Sequence, residues 1–232
     1  MLAFAPPMKV TISAVVPALD EELEIVATLA ALAPVADEIV VADGGSSDRT
    51  RDRAREAGAS VVEGARGRAA QMNAGARASS GSLLLFVHAD TRLAPSARPS
   101  LLRAAGSGAV GGAFRIRFDA EGALYRLGGA VASWRSRWTG LAFGDQAQFA
   151  RREVFERLGG FREWPILEDL DFARRLRRAG RVAILAPPVV TSARRFQRSG
   201  PVRTVLRNWW ILVRYSCGVS PEKLARRYRD AR

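Results

Sequence analysis

The amino-acid sequence predicts an α/β domain whose first half is built on a parallel sheet, and three observations predict it. Elements alternate strand, helix, strand as far as about residue 105, the pattern of βαβ units. Residues 83–91, LLLFVHADT, run apolar without interruption into His88, Ala89 and Asp90. Such a run, flanked by Gly81, reads as a strand covered on both faces. Upstream, DEIVVADGGSSD brings Asp43 to a strand end in the same way. In open α/β sheets ligands sit outside the carboxyl ends of the strands, where loops expose polar groups without burying them unpaired. Asp43 and Asp90 are therefore expected to open onto one crevice.

The first predicted strand is TISAVVPA, residues 11–18, and a helix follows through residues 22–32. EIVVAD, residues 38–43, is the second strand. SSDRTRDRAREAG, residues 46–58, is the helix after it. Ser46, Ser47 or Asp48 can cap that helix, with acids where the dipole favours them, and Gly58 stops it. The short strand SVVE (60–63), the helix GRAAQMNAGARAS (67–79) and the strand LLLFVH (83–88) complete a Rossmann-like half. Beyond residue 105 the pattern changes. AVGGAFRIRFD (109–119) alternates as a strand, YRLGGAVASWRSRW (125–138) is helix-like and rich in Trp and Arg, and GDQAQFA (144–150) reads as another strand. EDLDFARRLRRAG (168–180) is a helix, with Phe172 and Leu176 at i and i+4 and Gly180 as its stop. Two helical segments, 201–218 and 220–230, each open at a Pro.

At 232 residues, 48% hydrophobic and 25% charged, the chain suits one α/β domain with a small appendage. Residues 1–200 are expected as that domain and 201–232 as a basic helical extension packed on or adjoining it. No run approaches the roughly 18 uncharged apolar residues of a membrane span; IVATLAALAPVA and VAILAPPVVTSA are core-sized and broken by Pro. MLAFAPPMK has neither a basic start nor a long apolar stretch, which argues against a cleaved secretion signal. Cys217 has no partner for an intrachain disulfide and is expected as a buried thiol. A cytoplasmic location is expected, with peripheral contact at the inner face of the membrane open to the extension.

The net charge of +13 is unevenly spread: from Arg174 onward sixteen basic residues face only Glu222 and Asp230. Nearly all are Arg, whose planar fork suits phosphate, or which simply solvate the surface. They are not interleaved with stacking aromatics in a nucleic-acid module, so no nucleic-acid partner is expected. NWWILVRY suits a bilayer interface or ordinary packing.

DGGSSD resembles a phosphate-binding turn but lacks the three-Gly spacing of a dinucleotide fingerprint, and no P-loop is present, which disfavours ATP hydrolysis. Asp43 is either an acceptor for a ribose hydroxyl or base N–H or a stabiliser of its own turn. Glu168 and Asp169 open a helix, where acids complement the dipole or do chemistry. Asp171 has Arg174 and Arg175 at i+3 and i+4 and is set aside as an ion-pair partner.

The ordered set VVPALDEE, VVADGGSSDRT, GRAAQMNAGA, LLLFVHADT, GDQAQFARREVFERLGGF and ILEDLDFARRLRRAG resembles family 2 glycosyltransferases of the GT-A fold, over most of residues 10–200. The HADT, GDQ and SARR segments look closest to small bacterial members named for arsenosugar biosynthesis. The resemblance implies a mixed sheet flanked by helices. It implies inverting transfer of a sugar from a nucleotide-diphosphate donor, a UDP-sugar by preference, to the hydroxyl of a small-molecule or lipid-linked acceptor. Carried onto this chain, Pro17, Ala18, Glu21 and Asp43 would line the nucleoside pocket, with Arg68 beside the base or diphosphate. Asp90 matches the last acid of the metal-binding DxD motif, and His88 stands where the first acid would be. A divalent cation, Mn²⁺ or Mg²⁺, is implied; imidazole and carboxylate both ligate Mn²⁺, and donor phosphates can complete an octahedral shell. Asp169 matches the general base. Arg194 and Arg195 resemble a late basic motif that would close over the phosphates. Asp145, Gln146 and Glu168 are expected at the acceptor, with Trp134 or Trp138 recognising it or packing in the core.

Two rival readings come from other classes. A sugar nucleotidyltransferase typically carries a Gly-rich, Lys/Arg-containing loop after its first strand, which VVPALDEE does not offer. A non-enzymatic membrane-surface or anion-binding module would rest on the basic tail.

Overall fold

In the first half the apolar runs become strands where the sequence places them. Strands β1 (Ile12–Ala18), β2 (Glu38–Asp43), β3 (Ser60–Glu63) and β4 (Leu83–Phe86) pair in parallel in the order β3-β2-β1-β4. The structure, a computed structural model, describes residues 10–64 and 66–229. Every residue of β1 and β4 is buried, as follows when helices cover both faces of a parallel sheet. Those helices are α1 (Ile25–Leu32), α2 (Thr50–Glu56) and α3 (Arg68–Ala78). Helix α3 lies so close to β1 that a Cβ on Gly75 would stand 2.4 Å from Val15 Cγ1, which restricts that position to glycine. Helix α2 starts later than expected, because Asp48 accepts the N–H of Thr50 at 2.9 Å while Ser46 is engaged by Asp43.

The second half contains β5 (Thr91–Arg92), α4 (Ala97–Gly106), β6 (Gly111–Phe118), α5 (Ala123–Thr139), a 3-10 turn (Gly144–Gln146), β7 (Phe149–Arg151) and α6 (Arg152–Arg157). It continues through α7 (Glu168–Ala179), β8 (Val182–Thr191), α8 (Arg194–Ser199), α9 (Pro201–Ser216) and α10 (Pro221–Arg229). The sheet extends beyond β4 as β7-β6-β8-β5, with β7 antiparallel to both neighbours and β6 parallel to β8. The result is the mixed sheet flanked by helices that the resemblance implies, ending in a helical tail.

Two elements correct the sequence reading. GDQ is a turn, not part of a strand: the buried Gln146 amide bonds Phe114 and Ser136, and β7 begins only at Phe149. The pattern does not mark β8, because Pro187 and Pro188 interrupt it. They are tolerated because β5 pairs only with Val190 and Thr191, leaving the proline stretch without an outer neighbour.

One core cluster carries the geometry of the site. Phe86 of β4 meets Phe161 at 4.8 Å between ring centroids, and Phe161 meets Phe172 of α7 at 4.5 Å. Each buried Phe contributes about 2–3 kcal/mol, and together they dock α7 against the strand that delivers His88 and Asp90. The Asn73 amide pins the same loop, donating to Phe161 O at 2.8 Å and accepting Phe161 N–H at 2.9 Å. Arg175 donates to Asp171 at 2.7 Å and Arg162 pairs with it at 3.3 Å, so Asp171 is structural. Three apolar expectations are corrected: Cys217 is exposed, and Trp134 and Trp138 are 62% and 77% exposed rather than core residues.

Candidate active site

The chain runs from β1 to β2 and β3 on one side and returns to β4 on the other. A crevice therefore opens at the carboxyl ends of β1 and β4, the topological switch point. Glu21 follows β1 and Asp90 follows β4. Arg194, from α8, spans them, with Nη2 3.1 Å from Glu21 Oε2 and 3.5 Å from Asp90 Oδ2. Burial pushes the Glu21 carboxyl above its ordinary pKa against the opposing pull of Arg194. For Arg194 burial acts downward, but Glu21 and then Asp90 outweigh it and raise the guanidinium pKa.

Beside this bridge lies a cavity of about 360 Å³ walled by Arg68, His88, Asp90, Asp145, Glu168 and Asp169, with Phe118, Phe143 and Leu212 among its apolar sides. Asp169 Oδ2 accepts the Gly144 N–H at 2.7 Å and Oδ1 accepts the Leu170 N–H at 2.7 Å. A Cβ on Gly144 would stand 2.8 Å from His88 Nε2 and 3.3 Å from Asp169 Oδ2. Only glycine lets the imidazole, the carboxylate and that N–H converge. Immediately before α7, Leu167 sits at φ 65°, a left-handed conformation that costs a side-chain-bearing residue about 1–2 kcal/mol. The kink starts α7 so that its first two acids reach the cavity. Glu168 is 2% exposed and pairs with Arg68 at 3.4 Å. Burial pushes its carboxyl up, the neighbouring Asp169 charge pushes the same way, and Arg68 opposes them. Behind the Gly144 turn, Arg135 lies 4.2 Å over the Phe143 ring and donates to Gln146 Oε1 at 3.4 Å. Its burial lowers the guanidinium pKa, and the charges of Asp145 and Asp169 resist that.

Of the residues expected at the site, Arg68, His88, Asp90, Asp145, Glu168 and Asp169 share the cavity, and Glu21 and Arg194 stand at its edge. Others do not reach it. Pro17 and Ala18 are buried, and the Ala18 carbonyl receives the Gly44 N–H at 3.0 Å and Gln71 Nε2 at 2.6 Å. Asp43 reaches the same edge of the sheet, but β1 stands between it and β4. Its carboxylate is 1% exposed and bonds Gly45 N at 3.0 Å, Ser46 N at 2.9 Å and the Ser46 hydroxyl. Gln146, 1% exposed, bonds Phe114 of β6 and Ser136 of α5 and is not part of the cavity wall. The Arg195 side chain lies outside the described residues. Trp134 and Trp138 do not line the cavity. Gln71, Arg135 and Leu167 are contributors that sequence reasoning passes over, since a polar residue inside a helix and an ordinary leucine carry no local signal. Gly144 has a signal, its place in GDQ.

Among the described residues no group of three or more His, Cys, Asp or Glu converges to hold a metal. Asp90 and His88 nevertheless share one wall, and Glu21 with Asp90 already hold a cation, the Arg194 guanidinium. That donor set fits a divalent ion completed by phosphate oxygens of a ligand.

The family model described as glycosyl transferase family 2 matches residues 13–162. The chain belongs to glycosyltransferase family 2. Glycosyl transfer is thus the class of reaction of this enzyme, and the matched span includes Glu21, Asp43, Arg68, His88, Asp90 and Asp145. Among solved structures, glucosyl-3-phosphoglycerate synthase from Mycobacterium tuberculosis, crystallised with Mn²⁺, UDP and glucosyl-3-phosphoglycerate, is 24% identical with a TM-score of 0.55, over 79% of this chain and 70% of that one. TarS 1–349 from S. aureus is 18% identical with a TM-score of 0.60, over 79% and 60% of the two chains. A mycobacterial protein is 26% identical with a TM-score of 0.55, over 79% and 65%. These likenesses bear on the fold, which is GT-A-like. No curated protein matches the family 2 chain.

Proposed function

We propose that this family 2 glycosyltransferase moves a sugar, with inversion at the anomeric carbon, from a nucleoside diphosphate donor to an acceptor hydroxyl. The observation that carries the reading is Asp169, held by the Gly144 N–H at 2.7 Å in the cavity that also contains Arg68 and Asp90. In the proposed step Asp169 takes the acceptor O–H proton as that oxygen attacks the anomeric carbon. The bond from that carbon to the diphosphate breaks on the opposite face, and the electron pair leaves with the nucleoside diphosphate. Asp169 serves here because a carboxylate aligned by a backbone donor needs no reorientation to accept the proton. Arg68 and Arg194 face the charge that develops on the leaving diphosphate. Asp90 and His88 would hold a divalent cation, Mn²⁺ or Mg²⁺, whose chemistry is to neutralise the diphosphate as it departs.

Glu168, uncharged more readily than an ordinary glutamate because of its burial, and Asp145 are assigned to the acceptor side. Uracil is proposed as the donor base because UDP is what the mycobacterial synthase holds and TarS was solved with UDP-GlcNAc. The HADT, GDQ and SARR segments support a place among the arsenosugar-associated members. The nucleotidyltransferase reading finds no support in the loop after β1: Asp20 accepts Ser47 N–H at 2.8 Å and Glu22 accepts Arg49 N–H at 3.1 Å, leaving no Gly-rich basic cradle.

A thermal-shift panel of UDP-, GDP- and dTDP-sugars with and without Mn²⁺ tests the donor assignment. Saturation at a hundredfold over Kd stabilises a fold by about 2.7 kcal/mol, so a UDP-sugar with Mn²⁺ is expected to give the largest rise. Absence of any nucleotide-sugar shift overturns the reading. The anomeric configuration of the product, read by proton NMR, decides inversion.

A further inference from the structure

Two helices leave apolar stripes uncovered. On α5, Leu124, Leu127, Val131, Trp134 and Trp138 recur at steps of three and four and are 51–77% exposed. Gly129 and Ser136, on the opposite side of that helix, are buried. On α9, Leu206, Trp209, Trp210 and Val213 are 39–68% exposed, while Thr204 and Ile211 turn inward. Contiguous apolar surface of this kind marks an interaction face.

The charges beside the stripes select the partner. Neither helix contains an acid: α5 carries Arg126, Arg135 and Arg137, and α9 carries Arg203, Arg207 and Arg214. Of these, Arg126, Arg137, Arg203 and Arg214 are exposed, and Arg214 lies 5.6 Å over the Trp210 ring. Two copies meeting through these faces would set arginines against arginines. An anionic bilayer supplies both things the faces ask for, an apolar depth for Leu, Val and Trp and negative headgroups for Arg. No helix among the described residues is long and apolar enough to cross a membrane, so contact would lie in the interface, the depth that Trp favours.

Helix α9 lines the cavity, and α5 packs against Phe118, one of its wall residues. Phe118, at the end of β6, meets Tyr125 of α5 at 6.5 Å and Phe196 of α8 at 4.9 Å. The inner side of α9 contributes Ile211 and Leu212 to the cavity wall.

We propose that α5 and α9 together form a docking face for a bilayer containing anionic phospholipid. The proposal stands apart from the reaction assigned to the cavity, and nucleotide-sugar binding in solution reports on that reaction separately.

Flotation of the full chain with vesicles of phosphatidylcholine, with and without phosphatidylglycerol, tests it. The chain is expected to float with the anionic vesicles and not with phosphatidylcholine alone, and high salt is expected to weaken the association. The double substitution Trp134→Ser and Trp138→Ser, and separately Trp209→Ser, should each reduce binding about tenfold, as loss of interfacial Trp area implies. All three positions are exposed, so an unchanged melting temperature certifies the fold. Three results overturn the proposal. One is no flotation with phosphatidylglycerol; another is binding that survives either set of substitutions. The third is a lipid-free dimer that the α5 substitutions convert to monomer, which would give the stripe to a second copy.

Discussion

At the end of β2, Asp43 accepts from Gly45 and Ser46, two and three residues away, and is 1% exposed. At the start of α7, Asp169 accepts from Gly144, which comes from a different element twenty-five residues earlier, and lines a cavity. Both are carboxylates that receive backbone N–H groups at the mouth of one sheet. The difference lies in where the partners come from. A carboxylate satisfied by its own turn stiffens that turn and withdraws from solvent. One held by a distant element is fixed in a gap between elements, where another molecule can reach it. Beside β1, Asp20 and Glu22 accept the backbone N–H groups of Ser47 and Arg49 in the neighbouring loop, while Glu21 meets the Arg194 side chain at 3.1 Å across the crevice.

The contrast breaks most visibly at Asp169. Asp169→Asn is expected to reduce turnover about a thousandfold, the range of general-base removal, while nucleotide affinity by calorimetry stays within about twofold. Retained turnover would return Asp169 to the class of Asp43. The converse substitution, Asp43→Ala, should cost about 3 kcal/mol in urea unfolding, because three donors of a buried turn lose a charged acceptor. A loss of nucleotide affinity at unchanged stability would instead move Asp43 into the site.

A smaller effect is expected at Arg194. Arg194→Ala should weaken UDP binding about tenfold and leave uridine binding unchanged, as removal of a charge-assisted phosphate contact predicts. Equal losses for both ligands would contradict a phosphate role. The smallest effect concerns Glu168. Its carboxyl is raised in the folded protein from the ordinary 4.5, so the folded state binds the extra proton. The associated stability is present in full below that value and is lost as pH rises through the folded pKa. Relative to Glu168→Gln, the wild type should therefore lose stability on going from acid toward neutral pH, by no more than about 1.4 kcal/mol per pH unit. Melting curves of the two proteins across that range check the sign.

The first half of the fold was legible because its information is local. EIVVAD and SVVE became β2 and β3 at the predicted bounds, since apolar runs between turn residues need no distant partner to be read. GDQAQFA misled for the opposite reason: Gln146 is satisfied by Phe114 and Ser136, and nothing within seven residues reveals such an acceptor. Trp134 and Trp138 read as core or acceptor residues because composition cannot say which face of α5 meets β6.

By itself the sequence determined the alternation of elements, the exit of Asp90 and Asp43 at one edge of a parallel sheet, and the family motifs that end in Glu168 and Asp169. Only the tertiary structure decided which of these acids line the cavity. Packing of Phe172 on Phe86 and Phe161 carried α7 to β4, Leu167 bent the chain so that Asp169 met the Gly144 N–H, and the Asp43 turn closed on itself. The physical reason is that strand direction and turn chemistry are set by neighbours a few residues apart. The orientation of a carboxylate at a site is set by donors and apolar contacts from elements that meet only after the sheet has formed.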